Sequence, residues 1–182
     1  MRAGGGKAKG ASFEREICRL LSLWVSHGKQ EDLYWRSAMS GGRATVGKRR
    51  GVDLVAQAGD ISSVHKAGHV LTTEFYFETK HVKELHLDNF MVKGTGQLAT
   101  FWETAAQEAA SYHKAPVIIA RQNRFPTLWI SEDGIVDVLH GAAIKRRWPK
   151  GKLAMIRVAG TALAIWNFDL LLATPFKYSG LN

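Results

Sequence analysis

The segment Tyr76-Phe77-Glu78-Thr79-Lys80 constrains the fold most, because it predicts both a strand and a charged pair. Tyr, Phe and Thr favour extended backbone, so the segment predicts a β-strand. Side chains two residues apart share a face of a strand, which places Glu78 and Lys80 together. A carboxylate can bind a hard divalent ion, and a neighbouring ammonium can orient water or offset charge on a phosphate. Alone, the Glu-x-Lys triplet is a weak signal whose default meaning is a surface ion pair.

A helix is predicted from Ser12 onward. It follows a Gly- and Lys-rich stretch, residues 1–10, that has no periodicity and predicts a flexible basic arm. Apolar side chains then recur at spacings of three and four, and Ser12 is a suitable N-cap. Glu14 and Glu16 both lie at the edges of the apolar stripe, so the helical wheel does not separate them. The stripe consists of Phe13, Ile17, Leu20, Leu21 and Trp24.

Two segments each place an aspartate at the head of a predicted strand. Residues 52–56 contain Asp53, followed directly by apolar residues, and residues 59–64 contain Asp60. Eighteen residues separate Asp60 from Glu78, which predicts a short hairpin between the strand at 59–64 and a return strand at 74–80. Asp53 would require a longer connection that contains a second partial strand. We therefore favour Asp60 as the chemically important aspartate, with Asp53 as the alternative.

The rest of the chain predicts further strands and one more helix. A continuous apolar run is typical of a strand buried on both faces, and Asp-Gly between two apolar runs predicts a hairpin. The pattern of residues 85–93 is ambiguous. The other predicted elements are a strand at 33–37, a helix from Thr95, a strand at 116–120, hairpin strands at 127–130 and 135–139 around Asp133-Gly134, and strands at 153–158 and 162–168.

The length of 182 residues predicts a single domain, 1–182, that can bury a core without disulfides. We divide it into the arm, a core at 12–121 and a β-rich C-terminal extension at 122–182. The single cysteine excludes an internal disulfide and a Cys-rich zinc site. No apolar run approaches the roughly 20 residues that cross a bilayer, so we expect no membrane partner and a cytoplasmic location.

The charge is strongly positive and unevenly distributed. The formal net charge is +9, and residues 1–50 hold eleven Lys and Arg against four Asp and Glu. Such asymmetry favours a polyanionic partner, nucleic acid first. A Gly-rich segment at 40–51 and a second basic segment at 144–152 are candidate phosphate contacts. The predicted DNA-binding side chains are Arg36, Arg43, Lys48, Arg49 and Arg50.

Taken in order, these motifs resemble the PD-(D/E)xK nuclease superfamily, and within it the archaeal Holliday junction resolvases and related phage nucleases. The resemblance covers roughly residues 7–121. It rests on four short sequence motifs at 9–16, 35–38, 52–56 and 77–80. A Gly-Asp-Ile motif at 59–61 is similar to one in phage members of the superfamily.

The resemblance implies a fold, a site and partners. It implies an α/β fold with a mixed central sheet flanked by helices, a restriction endonuclease-like αβββαβ core, here followed by a C-terminal β extension. It implies that Glu78, Glu14 and an aspartate bind Mg²⁺, with Mn²⁺ as a substitute, and that Lys80 positions the attacking water. The motif around Asp53 is more similar to the resolvases and the motif around Asp60 to the phage members; we favour Asp60, with Asp53 as the alternative. It also implies a DNA substrate, possible selectivity for branched junctions, a homodimer, and the cytoplasm of a bacterial or phage-infected cell.

Three alternatives remain open from the sequence. The chain could be a non-catalytic DNA-binding protein on the same fold, or another nuclease of restriction or recombination exonuclease type. It could also be a helix-and-sheet domain in which these acids are ordinary surface charges.

Overall fold

The computed structural model describes residues 5–37, 58–141 and 149–178. Asp53, the basic residues at 43–50 and those at 145–147 therefore lie outside the described residues. The helices are α1 (Gly5–Val25), α2 (His69–Thr72), α3 (Leu87–Lys93), α4 (Gln97–Ala110), α5 (Ile135–Leu139) and α6 (Phe168–Leu172). The strands are β1 (Tyr34–Arg36), β2 (Ile61–Ser63), β3 (Phe75–Val82), β4 (Ala115–Gln122), β5 (Leu128–Glu132), β6 (Lys152–Val158) and β7 (Thr161–Asn167).

Within the described residues, five strands form a mixed sheet in the order β3-β4-β5-β7-β6. β3 and β4 are parallel, as a crossover through α3 and α4 requires, and the other neighbours are antiparallel. β1 and β2 form a separate antiparallel pair. The predicted α/β fold with a mixed sheet flanked by helices is confirmed. The C-terminal strands β5 to β7 extend this same sheet.

The sheet is covered on both faces, which makes it the middle layer of the domain. On one face α1 inserts Phe13, Ile17 and Leu21 against the sheet and buries Phe77 and Trp129. Each fully buried side chain of this size contributes about 1.5–3 kcal/mol of hydrophobic stabilisation.

On the other face, α4 packs Leu98 and Trp102 against Tyr76, Ile118 and Ile130. Because side chains alternate along β3, Phe77 and Thr79 face α1 while Glu78 and Lys80 face the α4 side. Among the helices of the described residues, none combines the length and apolar character that a membrane span requires.

Three local predictions are wrong. Residues 5–10, expected in a flexible arm with Ser12 as N-cap, belong to α1, because a helix held by a buried stripe extends one hydrogen bond at a time at low cost. Residues 135–139, expected as a strand, form α5, whose buried Val136 and Leu139 have helical spacing. The expected hairpin between 59–64 and 74–80 does not form, since β2 pairs with β1.

Gly59 is the point at which the chain before β2 meets β3. It forms a parallel bridge with Phe77, and the Asp60 amide donates to the Phe77 carbonyl at 2.8 Å. Gly59 has φ of +83°, and a Cβ there would lie 2.5 Å from the Phe77 carbonyl oxygen. Only glycine adopts this conformation and this close approach without strain.

We expect Gly59→Ala to lower the free energy of unfolding by about 1–3 kcal/mol, because both the φ value and the contact with Phe77 become strained. Urea unfolding measures the difference. Gly10→Ala is the matched control, since Gly10 lies inside α1 with nothing within 4 Å of its Cβ position. That change should stabilise the protein by about 0.5–1 kcal/mol. Equal effects at the two glycines would contradict this account of Gly59.

Candidate active site at the free edge of β3

Asp60 is fastened to the edge of β3 that no strand of the main sheet covers. Its carboxylate oxygen Oδ2 accepts from the Thr79 amide at 2.8 Å and from the Thr79 hydroxyl at 3.1 Å. Its carbonyl oxygen accepts from the Ser37 amide at 2.8 Å, which ties the end of β1 to the same point. Main chain and side chain together fix the carboxylate beside the Glu-x-Lys segment.

Glu78 and Lys80 project from β3 on its α4 face and form an ion pair. Their side chains are 19% and 30% exposed, so the ion pair is partly buried but still reached by solvent. The Lys80 ammonium also lies 5.0 Å from the centre of the Phe101 ring on α4, within cation–π range. Two partners therefore restrain a lysine side chain that is otherwise flexible.

The two glutamates of α1 have different partners. Glu14 accepts a hydrogen bond from the Nε of Arg36 at 2.7 Å, and its side chain is only 14% exposed. Glu16 instead receives two hydrogen bonds from the guanidinium of Arg121 on β4, at 2.7 and 2.9 Å, and is 45% exposed. Glu14 thus lies on the β1 side of the helix near Asp60, while Glu16 fastens α1 to the main sheet.

The electrostatics show that the acids occupy one region. The pKa of Asp60 is raised to about 7, first by desolvation, then by the negative charges of Glu78 and Glu14. The Thr79 hydrogen bond and the Lys80 charge oppose this rise. The buried thiol of Cys18 beneath the site responds in the same way, since desolvation and the charges of Glu14 and Asp60 raise its pKa to about 12. A cation placed among these carboxylates would relieve their repulsion.

The residues present fit a hard divalent ion by their chemistry. Their donors are carboxylate oxygens, and Mg²⁺ commonly binds one or two carboxylates while keeping several waters. Within the described residues, no three His, Cys, Asp or Glu side chains are assembled as a ready metal cage. Arg36 and Lys80 at present pair with Glu14 and Glu78. Metal binding would therefore exchange these ion pairs for bonds to the ion.

Five of the ten side chains that the sequence singled out lie in one region of the structure. The charges of Glu14, Glu78 and Lys80 act on Asp60, and Arg36 is hydrogen-bonded to Glu14. Their roles as ligands and catalysts stay predictions, as does DNA binding by Arg36. The alternative ligand Asp53 and the predicted DNA contacts Arg43, Lys48, Arg49 and Arg50 lie outside the described residues.

Sequence reasoning missed two residues that orient the cluster, Thr79 and Phe101. Thr79 is the middle residue of Glu-x-Lys, and its side chain lies on the face of β3 opposite Glu78 and Lys80. Its backbone amide points outward from the edge of the strand, and no residue pattern reveals which donor an aspartate will use there. Phe101 lies in the helix predicted from Thr95, where nothing in the sequence indicates a contact with Lys80.

Comparison with known proteins places the chain in a family. The family model described as phage putative PDDEXK endonuclease matches residues 5–157. No match was found among curated proteins, and none among solved structures. The matched range runs from α1 through the Glu-x-Lys strand and into β6. The chain belongs to the phage putative PDDEXK endonuclease family, a nuclease family whose members typically use divalent metals and act on DNA.

Proposed function

We propose that this protein is an Mg²⁺-dependent DNA endonuclease whose active site consists of Glu14, Asp60, Glu78 and Lys80. One observation carries the proposal: Asp60 is fixed to the edge of the Glu-x-Lys strand, in a desolvated position where Glu78 and Glu14 raise its pKa. Perturbed acids beside a positioned amine are typical of sites that bind metal ions and catalyse reactions.

The proposed ligands are Asp60 and Glu78, with Glu14 completing the set, and Mn²⁺ would substitute for Mg²⁺. When bound, the ion supplies charge neutralisation at the scissile phosphate and an acidified water. Thr79 donates hydrogen bonds from its amide and from its hydroxyl to Oδ2 of Asp60. Oδ1 takes part in neither of these bonds and could face the ion. Glu78, which is paired with Lys80 in this structure, would supply the second carboxylate.

The Lys80 ammonium can donate a hydrogen bond to the attacking water or to a phosphate oxygen. The Phe101 ring remains as a neutral partner that does not compete for the metal, so the amine stays directed into the site. Arg36, which is 34% exposed, can contact a neighbouring phosphate once it separates from Glu14.

The proposed substrate is branched DNA, cleaved by a homodimer. Contacts from basic segments to phosphates carry little base information, which suits an enzyme that reads the shape of a junction. Symmetric cleavage of two strands requires two active sites, which a two-fold dimer supplies.

A non-catalytic DNA-binding protein is the second candidate, and the two internal ion pairs favour it. Arg36 and Lys80 already neutralise Glu14 and Glu78, as they would in a site that never binds metal. Cleavage assays with purified protein distinguish these functions.

Glu78→Gln and Lys80→Met should each lower the rate of Mg²⁺-dependent cleavage by about 100-fold or more, because the first weakens binding of the ion and the second removes the cation beside the attacking water and the phosphate. DNA binding in a mobility-shift assay should be retained. Glu103→Gln, an exposed carboxylate on α4, is the control and should cleave as the wild type does. Four-way junctions, nicked duplex and linear duplex should be compared as substrates. Wild-type rates in both site variants would disprove the catalytic assignment.

Glu14→Gln and Glu16→Gln form a matched pair that tests which glutamate serves the site. We expect Glu14→Gln to lose cleavage and affinity for Mg²⁺. Glu16→Gln should keep both, and should lose up to about 1 kcal/mol of stability with its partly exposed Arg121 pair. Rates with increasing Mg²⁺ and urea unfolding separate the effects. The reverse pattern would move the metal ligand to Glu16.

Mg²⁺ should stabilise the protein more at pH 8 than at pH 5. The pKa of Asp60 is raised from 3.8 to about 7, so between these values the folded state holds a proton that the unfolded state releases. Metal-free stability from this group therefore falls as pH rises through that window. Mg²⁺ must displace the same proton, so its stabilising effect grows with pH. Thermal unfolding with and without Mg²⁺ measures this effect, and Asp60→Asn should abolish the pH dependence. An unchanged pH dependence in that variant would exclude Asp60.

A further inference from the structure

A cleft of about 340 Å³ opens at the carboxyl ends of β3 and β4, and the proposed chemistry does not use it. We call it the β3–β4 cleft. One wall is formed by the segment after β3 and the start of α3, and the other by the end of β4 and the loop that follows it. Its lining residues are Glu84, His86, Leu87, Asp88, Gln122 and Phe125.

The two walls are joined to each other. The Leu85 amide donates to Oε1 of Gln122 at 2.8 Å, and the Asn123 amide donates to the Val82 carbonyl at 3.2 Å. Leu85 itself is buried against the sheet. These contacts fix the spacing of the walls, so the cleft is formed before any ligand arrives.

The cleft lies next to the proposed site and on the same face of the sheet. In the parallel pair, Lys80 is opposite Ala120 and Val82 is opposite Gln122. Residues two apart share a face and are ~7 Å apart along a strand, so the cleft begins ~7 Å beyond Lys80. Duplex DNA rises about 3.4 Å per nucleotide along each strand. At that rise, ~7 Å corresponds to about two nucleotides, so the cleft lies within about two nucleotides of a phosphate held beside Lys80.

The lining suits a nucleobase. Phe125 is 52% exposed and gives an aromatic wall on which a base can stack. The carboxylates of Glu84 and Asp88 are acceptors for an exocyclic amino group, as in direct recognition of cytosine. Lys83 is 86% exposed beside Glu84, and the exposed Arg124 precedes Phe125. Each wall thus has a cation next to it that can contact the phosphate on one side of an inserted base.

We propose that the β3–β4 cleft binds one unpaired base of the DNA strand whose phosphate lies at Glu78 and Lys80. This rests on the proposed function and names its substrate class: DNA with an unpaired nucleotide one or two positions from the cut. Bases with an exocyclic amino group bind better than thymine, because the acceptors of Glu84 and Asp88 then find donors. A fully paired strand leaves the cleft empty and binds more weakly.

The test is a binding assay that does not depend on cleavage. Oligonucleotides carry a single 2-aminopurine, a fluorescent base with an amino group, at successive positions of an unpaired stretch beside a duplex. They are titrated with Glu78→Gln protein, and stacking on Phe125 should quench the fluorescence at one position. Adding Phe125→Ala should remove the quenching and weaken binding about 5- to 100-fold. Adding Leu153→Ala, an exposed apolar residue on the far edge strand β6, should change neither.

An abasic nucleotide at the quenched position provides the second arm. It should weaken binding by protein with Phe125 intact as much as Phe125→Ala does, and should cause no further loss in the Phe125→Ala protein. Thymine should give an intermediate affinity. Additive losses, or absence of quenching at every position, would overturn the proposal. If wild-type protein with Mg²⁺ cleaves none of these DNAs, the proposed function fails, and the binding data still decide whether the cleft binds a base.

Discussion

The hydrogen bond from the Thr79 amide to the Asp60 carboxylate is the contact on which the site depends. β3 is one of the two edge strands of the main sheet in the described residues, and an edge strand presents backbone groups that need partners. Asp60 satisfies two of them, since its amide donates to Phe77 and its carboxylate accepts from Thr79. The same bonds that close the edge of the sheet bring an acid beside Glu78. Fold and site therefore share their contacts at this position.

This arrangement places negative charges close together in a partly desolvated region. Glu14 and Glu78 both raise the pKa of Asp60, which means that their charges make ionisation of Asp60 less favourable in the metal-free protein. Arg36 and Lys80 offset part of the repulsion through their ion pairs. Each of these cations comes from a strand that also contacts the site, β1 for Arg36 and β3 for Lys80. The cluster is thus balanced by partners that can move when another cation binds.

The sequence predicted those parts of the site that depend on local periodicity. Alternation along 76–80 placed Glu78 and Lys80 on one face, and the apolar stripe of α1 placed Glu14 and Glu16 near the sheet. The choice between the glutamates depended on Arg36 and Arg121, which are distant in sequence and reach α1 only in the folded chain. Asp60 was favoured partly for its similarity to phage members and partly because of a hairpin that does not form. It lies at β3 through the bridge at Gly59 and its hydrogen bonds to Phe77 and Thr79.

The same limit explains the wrong elements. Five residues of mixed apolar sequence, 135–139, fit a strand or a single helical turn equally well, and the buried positions of Val136 and Leu139 decide between them only after packing. The partner of β2 was equally undetermined, because three-residue strands carry too few side chains to specify their pairing.

A carboxylate at position 60 is a costly way to satisfy the edge of β3. Asparagine would accept the same hydrogen bonds from Thr79 through its side-chain oxygen without placing a charge beside Glu14 and Glu78. In the metal-free protein the aspartate therefore adds repulsion and no bond that a neutral side chain could not make. A divalent cation would reverse this balance, because the negative charge that destabilises the free protein would attract the ion. The non-catalytic hypothesis accounts for the ion pairs of Arg36 and Lys80. The proposed metal binding accounts for a carboxylate at position 60.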